Sequence, residues 1–328
     1  MNLFRVVVLG LALAGSSMAD PGAAQAETTL TLGLVLGMAS HYGIAASVLA
    51  DEVAKRSEGR LRVEIFADGR LGGEREMVVG AQLGTVDLVI TSTGPVGSFV
   101  PATLITDIPF LFRDYPHARA ALDGPIGQQI LAEFPRHGLI ALAWGENGFR
   151  HITTTDRPVT KPEDLAGFKL RTMQNSVHMR AFATLGAKPM PMPTPNVYAA
   201  LQFHIVDGEE NPVPVILDIK FAEVQKYLSL TGHVYSPALV LVAPRLWETL
   251  GETDRALLKD AAKDAAAAMR AAVDRQEKEG LATLRAAGMT IIDGIDKAAF
   301  QRALAPAYAE YAKSFGQQRI DALRNAKP

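Results

Sequence analysis

The chain has 328 residues, of which 33 are basic and 35 acidic, so it lacks the positive charge expected of a nucleic-acid-binding protein. It contains no cysteine, which excludes a disulfide scaffold, a thiolate metal site and a thiol nucleophile. Its length is enough for two domains with cores of their own. The expected partner is therefore a small molecule or another protein.

The first 26 residues have the features of a secretory signal peptide. Arg5 precedes a short apolar run at 6–14, and small residues at 24–26 form a cleavage site. The apolar run is too short to anchor the protein in a membrane. The sequence therefore predicts export to the periplasm, with cleavage near Ala26 and a soluble mature protein.

Strands and helices alternate in the next part of the chain. "TLTLGLVL" predicts a strand at 29–36, and apolar residues at helical spacing predict a helix from about His41 to Arg56. "LRVEIFA" alternates as a strand does, and a further helix leads through Gly84 into the strand "DLVIT". This β-α-β-α-β order favours a mainly parallel sheet.

The pattern restarts after Gly145 with "FRHITTT". Thr160 and Glu163 have the spacing of a capping box for a short helix. "FKLRT" predicts a strand in which Arg171 and Leu170 face opposite sides. A third repeat runs from "VYAALQF" into "HIVDG", which places the acidic stretch "DGEENP" at the carboxyl end of a strand.

The last third of the chain predicts a long helix. From 253 to 287 there is little Pro or Gly and much Ala, Leu, Lys and Glu. A continuous helix of this length would span roughly 50 Å and brace two domains. The alternative is a pair of ordinary helices, with a bend or break at Gly280.

Most motifs of enzyme chemistry are absent from the sequence. There is no Walker loop, no G-x-G-x-x-G, no G-x-S-x-G elbow and no H-E-x-x-H helix. The acidic stretch matches no EF-hand loop, and adjacent carboxylates on one turn cannot flank a glycosidic bond. The seven histidines lack the spacing of metal ligands, so we expect surface or satisfied structural histidines at His41, His117, His137, His151, His178, His204 and His233. The sequence predicts no enzyme, no metal and no cofactor.

Two arginines at strand ends suggest an anion site. Arg171 closes "GFKLR" and Arg150 closes "NGFR", and ligands of open α/β folds gather beyond the carboxyl edge of the sheet. Each arginine alone is equally well explained as a surface charge. A guanidinium fork matches a carboxylate, so two of them beside a cleft would suit an organic anion.

Several motifs together resemble a known family. "GRLGGEREM", "DIPFLFRD", "ENGFRHITT", "KPEDLAGFKLRTM", "VYAALQ" and "VDGEENP" are similar to the DctP-type solute-binding proteins of tripartite ATP-independent periplasmic (TRAP) transporters. The match extends over nearly the whole mature chain. It implies a monomer that closes on an organic acid and delivers it to the membrane permease subunits.

The resemblance also implies the fold. We expect an α/β fold of the two-domain periplasmic binding protein type, each domain a mainly parallel sheet flanked by helices, with a long helix spanning both. The chain would cross between domains near Gly145 and Tyr235. The predicted boundaries are 27–147 with 236–277 for domain I, and 148–235 with 278–328 for domain II.

The family's motifs place its site residues on this chain. Arg171 falls on the usual anchor of the substrate carboxylate, Arg150 on the preceding arginine and Asn211 on the cleft asparagine. Glu209 and Glu210 would serve structure or solvent. The remaining predicted binding residues are Glu74 and Ser92 from the first domain, with Met173 and Tyr235.

Departures from the family pattern bear on the ligand. Thr194 and Ser92 stand where sialic-acid-binding relatives carry an aromatic residue and an acid, which argues against sialic acid. Phe203 and His204 replace a small residue before "VDG" without affecting the site. C4-dicarboxylates, sugar acids and aromatic or keto acids remain open. Two other functions also remain open at this point, an exported hydrolase and a co-receptor for a sensor kinase.

Overall fold

A computed structural model describes residues 27–327, so the predicted signal peptide and its cleavage site lie outside the described residues. Within 27–327, nine strands form one mixed sheet in the order β2-β1-β3-β8-β4-β7-β5-β6, with β9 paired to β8. The strands are β1 (Thr28–Gly33), β2 (Leu61–Phe66), β3 (Leu88–Ser92), β4 (Ile140–Thr154), β5 (Lys169–Thr172), β6 (Lys188–Pro191), β7 (Gly208–Pro212), β8 (Tyr227–Val242) and β9 (Thr290–Ile292).

Two long antiparallel strands, β4 and β8, join two parallel groups of strands. Strands β2, β1 and β3 form the first half-sheet, and β3 pairs with the last residues of β8. Strands β7, β5 and β6 form the second half-sheet, and β7 pairs with Arg150–Thr154 of β4. The mixed α/β fold and its parallel units are confirmed. The sequence did not predict that β4 and β8 form an antiparallel pair at the centre of the sheet. The glycines near residue 145 suggested the end of one strand and the start of another.

Thirteen α-helices flank this sheet within the described residues. They are α1 (His41–Arg56), α2 (Glu74–Leu83), α3 (Thr93–Val96), α4 (Tyr115–Asp123), α5 (Pro125–Leu131), α6 (Ser176–Thr184), α7 (Val197–Gln202), α8 (Val213–Asp218), α9 (Pro244–Thr249), α10 (Glu252–Ala286), α11 (Lys297–Ala303), α12 (Ala305–Phe315) and α13 (Gln317–Arg324). Short 3-10 helices occupy Pro101–Asp107, Phe134–His137, Pro162–Leu165, Thr194–Asn196 and Phe221–Glu223. None of the helices in 27–327 is long and apolar enough to cross a membrane.

The predicted helix at 41–56 is α1, and local signals explain both of its ends. The Ser40 hydroxyl accepts a hydrogen bond from Gly43 N at 3.1 Å, which caps the first turn. Lys55 and Arg56 lie in the last turn, where cations interact favourably with the helix dipole.

The long helix α10 is one continuous helix of 35 residues, so the single-helix reading is confirmed. Its buried stripe includes Leu258, Ala262 and Met269 at helical spacing. Gly280 does not interrupt it. A Cβ at Gly280 would lie 2.6 Å from Leu217 and 2.7 Å from Val213, so this glycine lets α8 approach α10 closely.

Two local predictions differ from the structure. The cap before Pro162–Leu165 uses Asp164 rather than Glu163, and its carboxylate accepts from Thr160 N at 2.8 Å and Lys161 N at 3.1 Å. Strand β7 begins at Gly208, so "GEENP" is the strand itself and does not follow one. "HIVDG" forms the turn after α7, because His204 has a positive φ of 55° that ends the helix.

Candidate functional site

A small cavity lies between the two half-sheets, with a volume of about 20 Å³. Strand β4 and the segments before it contribute Val35, Leu36, Tyr42, Glu74, Ser92 and Asn147. The segments after β4 contribute Met173, Thr194, Asn211 and Val215. The cavity therefore brings together four of the predicted binding residues: Glu74, Ser92, Met173 and Asn211.

Side chains from the two half-sheets touch each other around this cavity. Glu74, at the start of α2, accepts hydrogen bonds from the backbone N of Thr194 at 3.2 Å and from its hydroxyl. Ser92 Oγ donates to Met173 Sδ at 3.3 Å. These contacts close the cavity from both sides, so the structure is that of a closed cleft.

Arg171 is 1% exposed and has no carboxylate partner among the described residues. Its Nε and Nη2 donate to the Met192 carbonyl at 3.1 and 2.7 Å, and Nη2 lies 3.5 Å from the Thr194 hydroxyl. Its Nη1 has no hydrogen-bond partner. Burial lowers the pKa of the guanidinium from its ordinary value, but an arginine remains charged. Arg171 is thus a buried cation beside the cavity that no carboxylate of the described residues contacts, although Glu74, Glu210 and Glu209 act on its charge from a greater distance.

Arg150 is equally buried but is already paired. Its Nε and Nη2 donate to the Glu210 carboxylate, with an Nη2–Oε1 distance of 2.9 Å, and both side chains are fully buried. Burial alone would lower the pKa of Arg150, but the Glu210 carboxylate raises it above the ordinary value. The fork of Arg150 is therefore occupied by Glu210 in this structure, and its predicted contact with a ligand stays a prediction. Only Nη1 of Arg150 has no partner.

The two adjacent glutamates of β7 are fully buried, so of the two roles expected for them, structure or solvent, only the structural one remains. Glu209 accepts from Thr153 Oγ1 at 2.7 Å and from Asn211 Nδ2 at 2.5 Å. Burial raises the pKa of Glu209 to about 7. Burial opposes ionisation of Glu210 too, but Arg150 holds its pKa below the ordinary range. Both serve structure, and Glu209 orients the amide of Asn211 in the cavity wall.

Tyr235 lies outside the cavity. Its hydroxyl donates to Glu146 Oε2 at 2.9 Å, and its ring packs edge-to-face against Phe112 and Phe149. It pairs with Phe149 across β4 and β8, next to Arg150. The structure gives it a packing role in the joint between the half-sheets.

Two cavity residues, Tyr42 and Asn147, were missed by the sequence analysis. Tyr42 lies in the first turn of α1, where the sequence pattern of an aromatic residue indicates only packing against the core. Asn147 had a recognisable signal, because an Asn-Gly pair inside a strand indicates a bulge. The β4–β8 register does shift between Glu146 and Gly148, and that shift presents Asn147 to the cavity.

The histidines agree only in part with the prediction that each is exposed or hydrogen-bonded within the structure. His204 is exposed, whereas His41 and His233 are buried with polar partners, Asn147 at 3.1 Å and Thr231 at 2.7 Å. His178 is the exception, since neither of its ring nitrogens has a hydrogen-bond partner. Within 27–327, no group of three or more His, Asp or Glu residues could hold a metal ion.

Comparison with known proteins matches residues 32–314 to a family model described as bacterial extracellular solute-binding protein, family 7. A solute-binding protein of Verminephrobacter eiseniae is 49% identical over 304 residues, 93% of this chain and 91% of the relative.

Two crystal structures resemble this chain at TM-scores of 0.91 and 0.90. Both are TRAP periplasmic solute-binding proteins, each 50% identical, and each comparison covers 92% of this chain and 100% of the other. The first, from Polaromonas sp. JS666, is bound to D-erythronate. The second, from Bordetella bronchiseptica, has density assigned to pantoate.

Proposed function

Because the chain belongs to family 7 of the bacterial extracellular solute-binding proteins, we propose that it holds one organic acid by its carboxylate on Arg171, in the cavity between the half-sheets. The resemblance found in its motifs is thereby confirmed. Proteins of this family are the solute-binding subunits of TRAP transporters, and their structures hold organic acids.

The observation that carries the proposal is that no carboxylate of the described residues contacts the buried Arg171. A buried guanidinium costs free energy unless an anion compensates it. The described residues supply Arg171 with a carbonyl and a hydroxyl but no carboxylate, and its Nη1 is unused. A ligand carboxylate supplies both the charge and the hydrogen-bond acceptor. Asn211, Glu74, Ser92 and Met173 then contact the rest of the ligand, and Arg150 keeps the floor of the site in place through Glu210.

The acids held by similar proteins support a compact ligand. The cavity between the half-sheets measures about 20 Å³, so the half-sheets must separate to admit any acid. Relatives with 50% identity hold D-erythronate and pantoate, which are small acids. We therefore propose an acid of this size for this chain.

The wider setting follows from the family. We propose that residues 1–26 are removed on export, and that the periplasmic protein works as a monomer. We also propose that 27–147 with 236–277, and 148–235 with 278–328, move as two domains. The liganded form delivers its acid to the membrane permease subunits without chemical change, so the protein is not an enzyme.

A thermal-shift screen over organic acids, followed by calorimetry, tests this function. A ligand at 100 times its dissociation constant should add about 2.7 kcal/mol to the free energy of unfolding. Calorimetry should give one site per chain, and nuclear magnetic resonance should recover the acid unchanged. A folded protein that binds no organic acid would refute the proposal, as would conversion of the acid to a product.

A further inference from the structure

The Tyr42 hydroxyl is a buried hydrogen-bond donor without an acceptor among the described residues. Tyr42 is 2% exposed, lines the cavity and packs its ring against His41 at 4.5 Å between centroids. Its oxygen makes no hydrogen bond of good geometry among the described residues, and the nearby Ser92 hydroxyl donates to Met173 instead. Burial keeps the pKa of Tyr42 above its ordinary value, so the hydroxyl stays protonated. Such a group requires a partner, and an acceptor atom of the ligand would supply one.

Asn147 presents a second polar group to the same cavity. The bulge of β4 depends on Gly148, which has a φ of 123° and whose Cβ would lie 3.0 Å from Pro212. Asn147 is 4% exposed, and its Oδ1 lies 3.1 Å from His41 Nε2. Burial lowers the pKa of His41 to about 4, so a neutral imidazole donates from Nε2. The amide Nδ2 of Asn147 is then left to donate to a ligand.

The charges around the cavity are suited to one carboxylate and not two. No carboxylate of the described residues contacts Arg171, whereas the charge of Arg150 is balanced by Glu210. Glu74 is the charged residue among the described residues that line the cavity, and it is 4% exposed. A second ligand carboxylate would therefore meet an anion, neutral donors and apolar side chains, since no cation of the described residues lines the cavity.

We propose that Tyr42 and Asn147 form a hydroxyl-binding subsite, and that the ligand is a short monocarboxylate bearing hydroxyl groups rather than a dicarboxylate. This inference rests on the proposed function, since it assumes that Arg171 holds the one carboxylate. The ligand hydroxyls accept from Tyr42 Oη and Asn147 Nδ2, and they donate to the carboxylate of Glu74. Val35, Leu36 and Val215 cover the carbon chain.

Calorimetry with D-erythronate and succinate tests the subsite, because both acids have four carbons. The first carries hydroxyls and the second a further carboxylate. We expect the wild-type protein to bind D-erythronate at least about tenfold more tightly, since a like charge is costly in a buried site. Tyr42→Phe should weaken D-erythronate about 5- to 30-fold, the loss expected for one buried hydrogen bond, and leave succinate almost unchanged. Asn147→Asp keeps an oxygen for His41 but replaces the donor, so it should also weaken D-erythronate.

Tyr198→Phe is the matched control, because it removes the same atom from a tyrosine whose hydroxyl bonds Glu223 at 2.7 Å on the surface. It should change neither affinity. The melting temperature of ligand-free Tyr42→Phe should equal or exceed that of the wild type, which separates a binding role from a structural one.

The proposal fails if Tyr42→Phe weakens both acids equally or neither, or if the wild type binds succinate as tightly as D-erythronate. Those results would leave the proposed function standing, since an acid is still bound. A folded wild type that binds no organic acid would instead overturn the proposed function, and the subsite with it.

Discussion

Replacing Arg171 and Arg150 in turn by glutamine should separate ligand binding from folding. Both guanidinium groups are buried, Arg150 inside β4 and Arg171 near the end of β5, yet only Arg150 contacts a carboxylate, that of Glu210. Arg171→Gln removes a cation that no carboxylate of the described residues contacts. Arg150→Gln leaves the Glu210 carboxylate buried without its counter-charge.

The magnitudes follow from these contacts. Breaking a buried ion pair by removing one partner costs about 3 to 5 kcal/mol of stability, which corresponds to a fall in melting temperature of roughly 6 to 20 °C. Arg150→Gln should show this loss without any ligand. Arg171→Gln should change the ligand-free melting temperature little, because the two hydrogen bonds lost to Met192 are offset by removal of an unpaired buried charge. Its ligand affinity should fall by roughly 30-fold to several thousand-fold.

Calorimetry with the best acid from the screen measures the affinities, and thermal unfolding without ligand measures the stabilities. Arg171→Lys is a useful companion, since an ammonium keeps the charge but cannot supply a fork. It should also bind weakly. The double substitution Arg150→Gln with Glu210→Gln should recover part of the stability that Arg150→Gln loses, because no buried charge then remains unpaired.

The reasoning is refuted if Arg171→Gln retains near wild-type affinity, which would place the carboxylate elsewhere. It is also refuted if Arg171→Gln lowers the ligand-free melting temperature as much as Arg150→Gln does. That result would mean that Arg171 has a counter-charge within the protein.

Three further predictions concern pH, the cavity wall and closure. Burial raises the pKa of Glu277 to about 7 in the folded protein, above its ordinary value, so its contribution to stability is present at pH 4 and is lost as pH rises through 7. In urea titrations, Glu277→Gln should therefore be more stable than the wild type at pH 8, by up to about 3 kcal/mol, and equal to it at pH 4. Asn211→Asp sets a carboxylate beside Glu209 and near that of the ligand, so calorimetry should show weaker binding than for Asn211→Ala, and equal affinities would remove Asn211 from the site. Labels at Lys55 and Lys188 should approach each other when the acid is added, whereas an unchanged distance under saturating ligand would indicate a preformed cavity.

Much of the fold could be predicted because its signals are local. The helix α1 has its cap, its apolar spacing and its basic last turn within one segment. The long helix α10 was predictable from a run almost free of Gly and Pro. The central pair β4 and β8 was not, because pairing between residues about 90 positions apart leaves no local pattern, and its bulges contain the very glycines that usually end strands.

The positions of the site residues could be predicted from the family motifs. Their roles could not be predicted where they depend on which other side chains each residue contacts in the folded protein. The sequence predicted both Arg150 and Arg171 at strand ends, but Arg150 lies inside β4, which continues to Thr154. Only the folded chain shows that Glu210 occupies one of them and that a carbonyl occupies the other. In the same way, the sequence cannot show that the hydroxyl of Tyr42, in the first turn of α1, has no hydrogen-bond partner. That depends on the residues that surround it in the folded protein.

The unpaired charge of Arg171 also explains how a ligand could close the cleft. Opening would separate Glu74 from Thr194 and Ser92 from Met173, and water would then reach Arg171 and hydrate its charge. Closing without ligand would remove that water and leave the cation without a contacting anion, at a cost in free energy. Closing around a carboxylate would remove the water but supply that anion. On the proposed function, the acid therefore binds the closed form more favourably than the open one, and this difference in affinity would shift the equilibrium toward closure.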